Sequence, residues 1–156
     1  MIKLTRIDYR LIHGQVAFAW TNFLGADCIL VANDDVVVNP MRKSALRLAK
    51  PQGVKLVFKN IEDSIMAINE GKTDKYKLFI VVETVKDAVR LSEKCADIKQ
   101  INVGLINKTE NSKMLAKAVY ANNEELSYLK RLCELGKKVE IKQAPNDIGI
   151  DMNNIL

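Results

Sequence analysis

Histidine occurs once in these 156 residues and cysteine three times, at Cys28, Cys95 and Cys133, far apart and without CxxC spacing. That is too few ligands of the right kind for a zinc site, and no framework for disulfides, so the cysteines read as small buried hydrophobes in a reducing compartment. Long apolar runs are missing too. The longest, such as Leu78-Phe79-Ile80-Val81-Val82, are strand-sized, and Met1–Arg10 carries Lys3, Arg6 and Asp8 where a signal sequence needs an apolar stretch. A soluble, cytoplasmic protein is expected. Neither a GxGxxG nor a Walker sequence is present, so a nucleotide site has no support, and there is no internal repeat, low-complexity tract or linker. A composition 48% hydrophobic and 28% charged predicts one globular domain over residues 1–156.

Lys and Arg number 24 against 19 Asp and Glu, a net charge of +5. This suits an anionic partner without choosing among nucleic acid, phosphorylated compound, acidic protein and membrane surface. The cations are interleaved with acids, and the only doublets are Arg42-Lys43, Lys130-Arg131 and Lys137-Lys138. Most of the charge reads as a solvated surface, and no nucleic-acid partner is expected.

Short β-rich segments alternate with amphipathic ones. Ile2–Ile7 reads as a strand; Val16, Trp20, Phe23 and Leu24 share a helical face; Cys28–Ala32 is a buried-strand run. Asn39-Pro40 supplies an N-cap followed by proline at the first helical position, with Met41, Ala45, Leu48 and Ala49 as the apolar stripe. Val54–Phe58 is a strand, and Asn60 caps a helix with Ile61, Ile65 and Ile68 inside and Gly71 as its stop. Lys77–Val82 is a strand, Thr84 opens a helix to about Lys94, and Ile101–Val103 is a short strand ending at Gly104. Met114–Val119 fits a helical turn or a strand, the strand being preferred. Asn122 or Asn123 caps a helix burying Leu126, Leu129, Leu132 and Cys133, and Val139–Ile141 returns as a strand. The alternation predicts an α/β fold, an open doubly wound, mostly parallel sheet with helices on both faces. Ligands bind such sheets at the carboxyl ends of the strands, which directs attention to the loops after Ile7, Ala32, Phe58, Val82 and Val103.

The first of these loops, Asp8-Tyr9-Arg10-Leu11-Ile12-His13-Gly14-Gln15, holds the only histidine and leads into a helix. Free N–H groups and the positive end of the helix dipole favour an anion there, and glycine lets the backbone approach it. Neutral imidazole is a competent nucleophile near pH 7, and a phosphoryl group on it would be stabilised by those N–H groups, of Gly14 and Gln15, and by a forked guanidinium such as that of Arg10. Asp8 is placed to orient Arg10 or the imidazole. The plain alternative is a surface or hydrogen-bonded histidine beside a structural Asp and Arg.

The segment Ile7–Val16, then Trp20-Thr21, Val31–Asp35, Met41–Ser44 and Ile101–Gly104, resembles the enzyme IIB component of the mannose/fructose/sorbose family of the bacterial sugar phosphotransferase system, in order along nearly the whole chain. The resemblance implies that the δ nitrogen of His13 receives a phosphoryl group from a phosphohistidine of a IIA partner and passes it to a sugar held by membrane IIC and IID components, the protein associating peripherally with that transporter. It assigns Arg10 to phosphate stabilisation and Asp8 as its neighbouring acid, and it places an antiparallel strand near the sheet edge, where Met114–Val119 falls. Tyr9 departs from the family's usual second aspartate and Leu105 from a common second glycine. Neither a metal nor a cofactor is expected, since transfer between histidines needs none. Asn33 and Asp34 then shape the rim of the His13 pocket, and Met41, Arg42 and the Gly104 loop are further candidates for the rim or for partner contact. The rivals are a basic nucleic-acid-binding module and a regulatory homologue that does not pass phosphate on.

Overall fold

The computed structural model describes residues 1–156, and its architecture follows the alternation in the sequence. The elements are β1 (Ile2–Asp8), α1 (Gly14–Leu24), β2 (Cys28–Ala32), α2 (Pro40–Leu48), β3 (Lys55–Lys59), α3 (Ile61–Asn69), β4 (Leu78–Val82), α4 (Val85–Lys94), β5 (Gln100–Leu105), β6 (Lys113–Ala116), β7 (Val119–Ala121), α5 (Asn123–Glu134), β8 (Lys138–Ile141) and β9 (Ile150–Asp151). Seven strands form one sheet in the order β3-β2-β4-β1-β5-β8-β9, parallel except for β9. The antiparallel strand at the sheet edge is therefore β9. Met114–Val119 instead belongs to a separate hairpin of β6 and β7, turned at Ala118 with φ +64°.

Both faces of the sheet are covered, as parallel strands require. Successive residues of a strand point to opposite faces. Cys28, Leu30 and Ala32 of β2 and Leu78, Ile80 and Val82 of β4 pack with α3, α4 and α5, while Ile29, Val31, Phe79 and Val81 pack with α1 and α2. In β1, Ile7 joins the first layer and Leu4 the second. Arg6 and Asp8, two and four residues beyond Leu4, share its face.

Helix ends sit where capping chemistry puts them. Asn39, Asn60, Thr84 and Asn122 accept from the N–H of Arg42, Asp63, Asp87 and Glu125, and Asn122 with Glu125 closes a full capping box. Two helical stripes differ from expectation. In α1 the buried residues are Ala17, Trp20 and Thr21, with Phe23 exposed. In α2 only Leu46 is buried, and Met41, Ala45 and Leu48 face solvent, because the helix packs through the opposite side of its cylinder. No helix is long and apolar enough to cross a membrane.

Candidate active site around His13

β1 is flanked by β4 and β5, so its carboxyl end opens at the middle of the sheet, and Asp8 is its last residue. The chain turns there at once. Leu11 N–H donates to the Asp8 carbonyl (2.9 Å), Tyr9 N–H to the Leu105 carbonyl (3.2 Å), and Arg10 N–H to Asp8 Oδ1 (2.9 Å). Leu11 takes φ +60°, a conformation that costs a non-glycine residue on the order of 1 kcal/mol or more. Burial of Leu11 and Ile12 in the layer beneath α1 holds it in place. His13 is then the N-cap of α1, with extended backbone angles (φ −154°, ψ 140°) and no side-chain capping bond, so its ring is free for other work. Gly14 follows at φ +48°, which glycine takes without penalty.

Asp8 carries the site. Its side chain is fully buried, and Oδ2 lies 2.9 Å from His13 Nε2, 3.1 Å from Arg6 Nη2 and 3.2 Å from Arg6 Nε. A carboxylate at that distance accepts a hydrogen bond from Nε2–H, which fixes the tautomer: Nε2 is protonated and Nδ1 keeps its lone pair. The ring is one-sixth exposed, open enough for a macromolecular donor to reach. The first N–H groups of α1, on Gly14, Gln15 and Val16, have no acceptor within the helix, and its first turn carries no acidic side chain. Gly14, Gln15 and Arg10 are all exposed. The arrangement is an imidazole nitrogen with a free lone pair at a positive helix terminus, with the exposed Arg10 three residues before it in the chain.

Arg6 was not singled out by the sequence. It is 2% exposed, and it spends its guanidinium on Asp8, on Asn102 Oδ1 (2.7 Å) and on the Gln143 carbonyl (3.1 Å). Its Cζ lies 5.6 Å from the centre of the Trp20 ring, whose Nε1–H donates to the same Gln143 carbonyl. Burial lowers the Arg6 pKa from its usual value, and the Asp8 carboxylate works against that shift. A signal was present: Arg6 and Asp8 lie on one face of a central strand, and a strand covered on both sides must pair its charges internally.

Gly104 has a different role from the one expected. It lies inside β5, not in a loop, and is buried. A Cβ there would overlap the Arg6 guanidinium, so glycine is required for space and not for φ > 0. Leu105 is likewise in the strand.

The expected rim separates in the same way. Asn33 is buried: its Oδ1 accepts from the N–H of Asp35 and Val36, and its Nδ2 donates to Glu83, so it braces the turn after β2 and presents no contact surface. Asp34 Oδ1 accepts from Ile61 N–H, and its Oδ2 pairs with Arg90. The first of these bonds, more than the second, holds its carboxyl below the usual range. Arg42 is held by Asp35 and Glu83 at 2.8 and 3.0 Å, and the Asp35 bond leads in raising its pKa. Met41 projects freely, 82% exposed. A hollow of about 800 Å³ is lined by residues such as Lys113, Leu126 and Ile155 and by none of the His13 loop.

Fold and loop together define a class: an open, mostly parallel α/β protein with its single histidine on the loop that leaves the end of a central strand. Within that class the chain belongs to the sorbose subfamily of IIB components of the phosphotransferase system (PTS), whose family model matches residues 2–156. It is 34% identical over 140 residues to a probable phosphotransferase enzyme IIB component of Streptococcus pyogenes, covering 86% of each chain. It is 32% identical to the N-acetylgalactosamine-specific enzyme IIB component 1 of Escherichia coli, covering 94% of this chain and 92% of that one. The crystal structure of the IIBSor domain of the Klebsiella pneumoniae sorbose permease superposes with a TM-score of 0.93 at 27% identity, over 99% and 94% of the two chains. The chain also matches, at 28% identity along its whole length, 48% of the mannose-specific EIIAB component of E. coli. As a IIB component it is a phosphotransferase and a phosphoryl carrier in sugar transport.

Proposed function

We propose that the phosphoryl group is carried on His13 Nδ1, taken from a phosphohistidine of a IIA protein and given to a sugar held by membrane IIC and IID components. The observation that carries this reading is the Asp8–His13 bond through Nε2, which leaves Nδ1 as the nucleophile. Nδ1 attacks phosphorus in line as the donor's N–P bond breaks, and the donor imidazole leaves with the electron pair. The phosphorylated ring keeps its proton on Nε2 and bears positive charge, which buried Asp8 neutralises. In the second transfer the sugar oxygen bonds to phosphorus as the Nδ1–P bond breaks; the ring departs as neutral imidazole, and the hydroxyl proton passes to a base of the sugar-holding component or to water. Arg10 and the N–H groups of Gly14 and Gln15 hold the phosphoryl oxygens through both steps. Catalysis comes from positioning and fixed charge, with no metal or cofactor. The EIIAB relative supports a IIA partner, since this chain accounts for about half of it. The relatives named for sorbose, fructose and N-acetylgalactosamine support a hexose or amino sugar as the acceptor. The protein then works on the cytoplasmic side, peripheral to the transporter.

Intact-mass measurement after incubation with phosphoenolpyruvate, the general PTS proteins and a IIA protein tests this. One acid-labile phosphoryl adduct is expected, absent in His13→Ala; an adduct retained by that variant sinks the assignment. Arg10→Lys keeps the charge but loses the fork and is expected to slow single-turnover acceptance about tenfold or more.

A further inference from the structure

We infer that Asn102, on β5, is a positioning residue for phosphoryl transfer: it sets the Arg6 guanidinium, Arg6 sets the Asp8 carboxylate, and Asp8 sets which ring nitrogen of His13 is free. Arg6 and Asn102 are neighbours in the parallel register of β1 and β5, and both are buried, at 2% and 3% exposed. The Asn102 amide is committed at both ends. Its Oδ1 accepts from Arg6 Nη1 at 2.7 Å, and its Nδ2 donates to the Lys142 carbonyl at 2.9 Å. The second bond fixes the first, because an amide turned over would present its NH₂ group to a guanidinium and its oxygen to a carbonyl.

The division of the Arg6 donors follows. Nη1 is occupied by Asn102 and by the Gln143 carbonyl at 3.1 Å, which leaves Nε and Nη2 for Asp8 Oδ2, at 3.2 and 3.1 Å. His13 Nε2 meets that same oxygen at 2.9 Å. Guanidinium and imidazole therefore share one acceptor atom, and a rotation of Arg6 would carry it away from the ring. The Gln143 carbonyl also accepts from Trp20 Nε1 on α1, the helix that His13 caps. The segment after β8 thus anchors the site twice, through Asn102 and Arg6 to Asp8, and through Trp20 to α1. The residue type at 102 suits this use. An aliphatic side chain would leave an N–H of a buried cation without its acceptor, and a carboxylate would divide the positive charge between two anions. The amide accepts the bond and leaves the charge to Asp8.

The inference rests on the proposed role of His13 and is tested on two readouts, at temperatures where each variant is folded by circular dichroism. In ¹⁵N NMR of the unphosphorylated chain the native ring is expected as one tautomer, with the proton on Nε2. Asn102→Ala should shift the ring nitrogens toward a mixture. It should also slow single-turnover acceptance at saturating phosphorylated IIA protein about tenfold, short of the ~100-fold that a misplacement of about 1 Å costs. The half-saturating IIA concentration should stay the same, since Asn102 is buried. Asn102→Ser restores one hydroxyl that can accept from Arg6 and donate to the Lys142 carbonyl, and should fall between alanine and native on both readouts. The proposal is overturned by a folded Asn102→Ala with the native tautomer, by a mixture of tautomers with the native rate, or by the same mixture in Leu91→Ala, which would mark a general loosening. If the alanine variant does not fold, the serine variant decides, and a ring as fixed as the native one overturns the proposal. A native chain that accepts no phosphoryl group counts against the carrier role of His13, while the ring nitrogens still report whether Asn102 fixes them.

Discussion

On the face of the sheet covered by α3, α4 and α5, 25 buried apolar residues form one cluster; on the face covered by α1 and α2 there are 13. The difference is not only one of size. Beside the smaller cluster, Arg6, Asp8 and Asn102 occupy buried positions on β1 and β5 that a purely structural sheet would fill with aliphatic side chains. The larger layer holds the fold, and the smaller one gives up core volume to keep a charged network dry. That network aims one carboxylate at one imidazole. Two kinds of substitution therefore have separable consequences, and stability and transfer should come apart.

Asp8→Ala should have the largest effect on both. It strands the buried Arg6 guanidinium, at a cost of about 3–5 kcal/mol. It also frees the His13 ring to adopt either tautomer, slowing phosphoryl acceptance on the order of 10–100-fold, by analogy with the loss of carboxylates that orient metal-ligating histidines. Urea unfolding and single-turnover transfer measure the two; a stable variant with an unaltered rate would show that Asp8 neither balances Arg6 nor orients His13. Leu91→Ala, at a fully buried position on α4, should cost about 2–5 kcal/mol and leave transfer within twofold at temperatures where the variant stays folded. A matching loss of rate would erase the distinction between the layers. Gly104→Ala should cost about 1–3 kcal/mol through the clash with Arg6. Its sharper signature is a shift of the His13 ring nitrogens in ¹⁵N NMR toward a mixture of tautomers, since displaced Arg6 no longer holds Asp8.

Those residues also mark where the sequence was legible. Local chemistry was: Asn39, Asn60, Thr84 and Asn122 cap the helices expected of them, and Cys28–Ala32 is the strand its unbroken apolar run implies. The His13 loop was legible because histidine, glycine and a helix start fall within a few residues. What was not legible depends on residues distant in the chain. Arg6 meets Asn102 and Gln143 only after β1, β5 and the segment after β8 are assembled, and Gly104 looks like a turn glycine until Arg6 is packed against it. The stripe of α2 misled for another reason: periodicity finds an apolar face, but not whether that face is turned to the sheet or away from it.

The smallest expected effect compares two aspartates. Asp34, at the surface of the larger layer, accepts from Ile61 N–H at the start of α3 and pairs with Arg90 at 2.9 Å; its side chain is 55% exposed, where that of Asp8 is wholly buried. Asp34→Asn keeps an acceptor for Ile61 but loses the charge, so solvent screening limits the loss to about 1 kcal/mol or less. Its pH dependence follows from the direction of the shift. The folded-state pKa of Asp34 lies below the usual value, so its contribution is present above the unfolded pKa of about 3.9 and is lost as pH falls through the folded one. The gap in urea midpoint between the native chain and Asp34→Asn should be constant between about pH 5 and 8 and close at more acid pH. It should also narrow in high salt, as an exposed pair does and a buried one does not. A gap that persists in acid and in salt would mean that Asp34 acts through packing, and the contrast with Asp8 would then lie in position alone and not in charge.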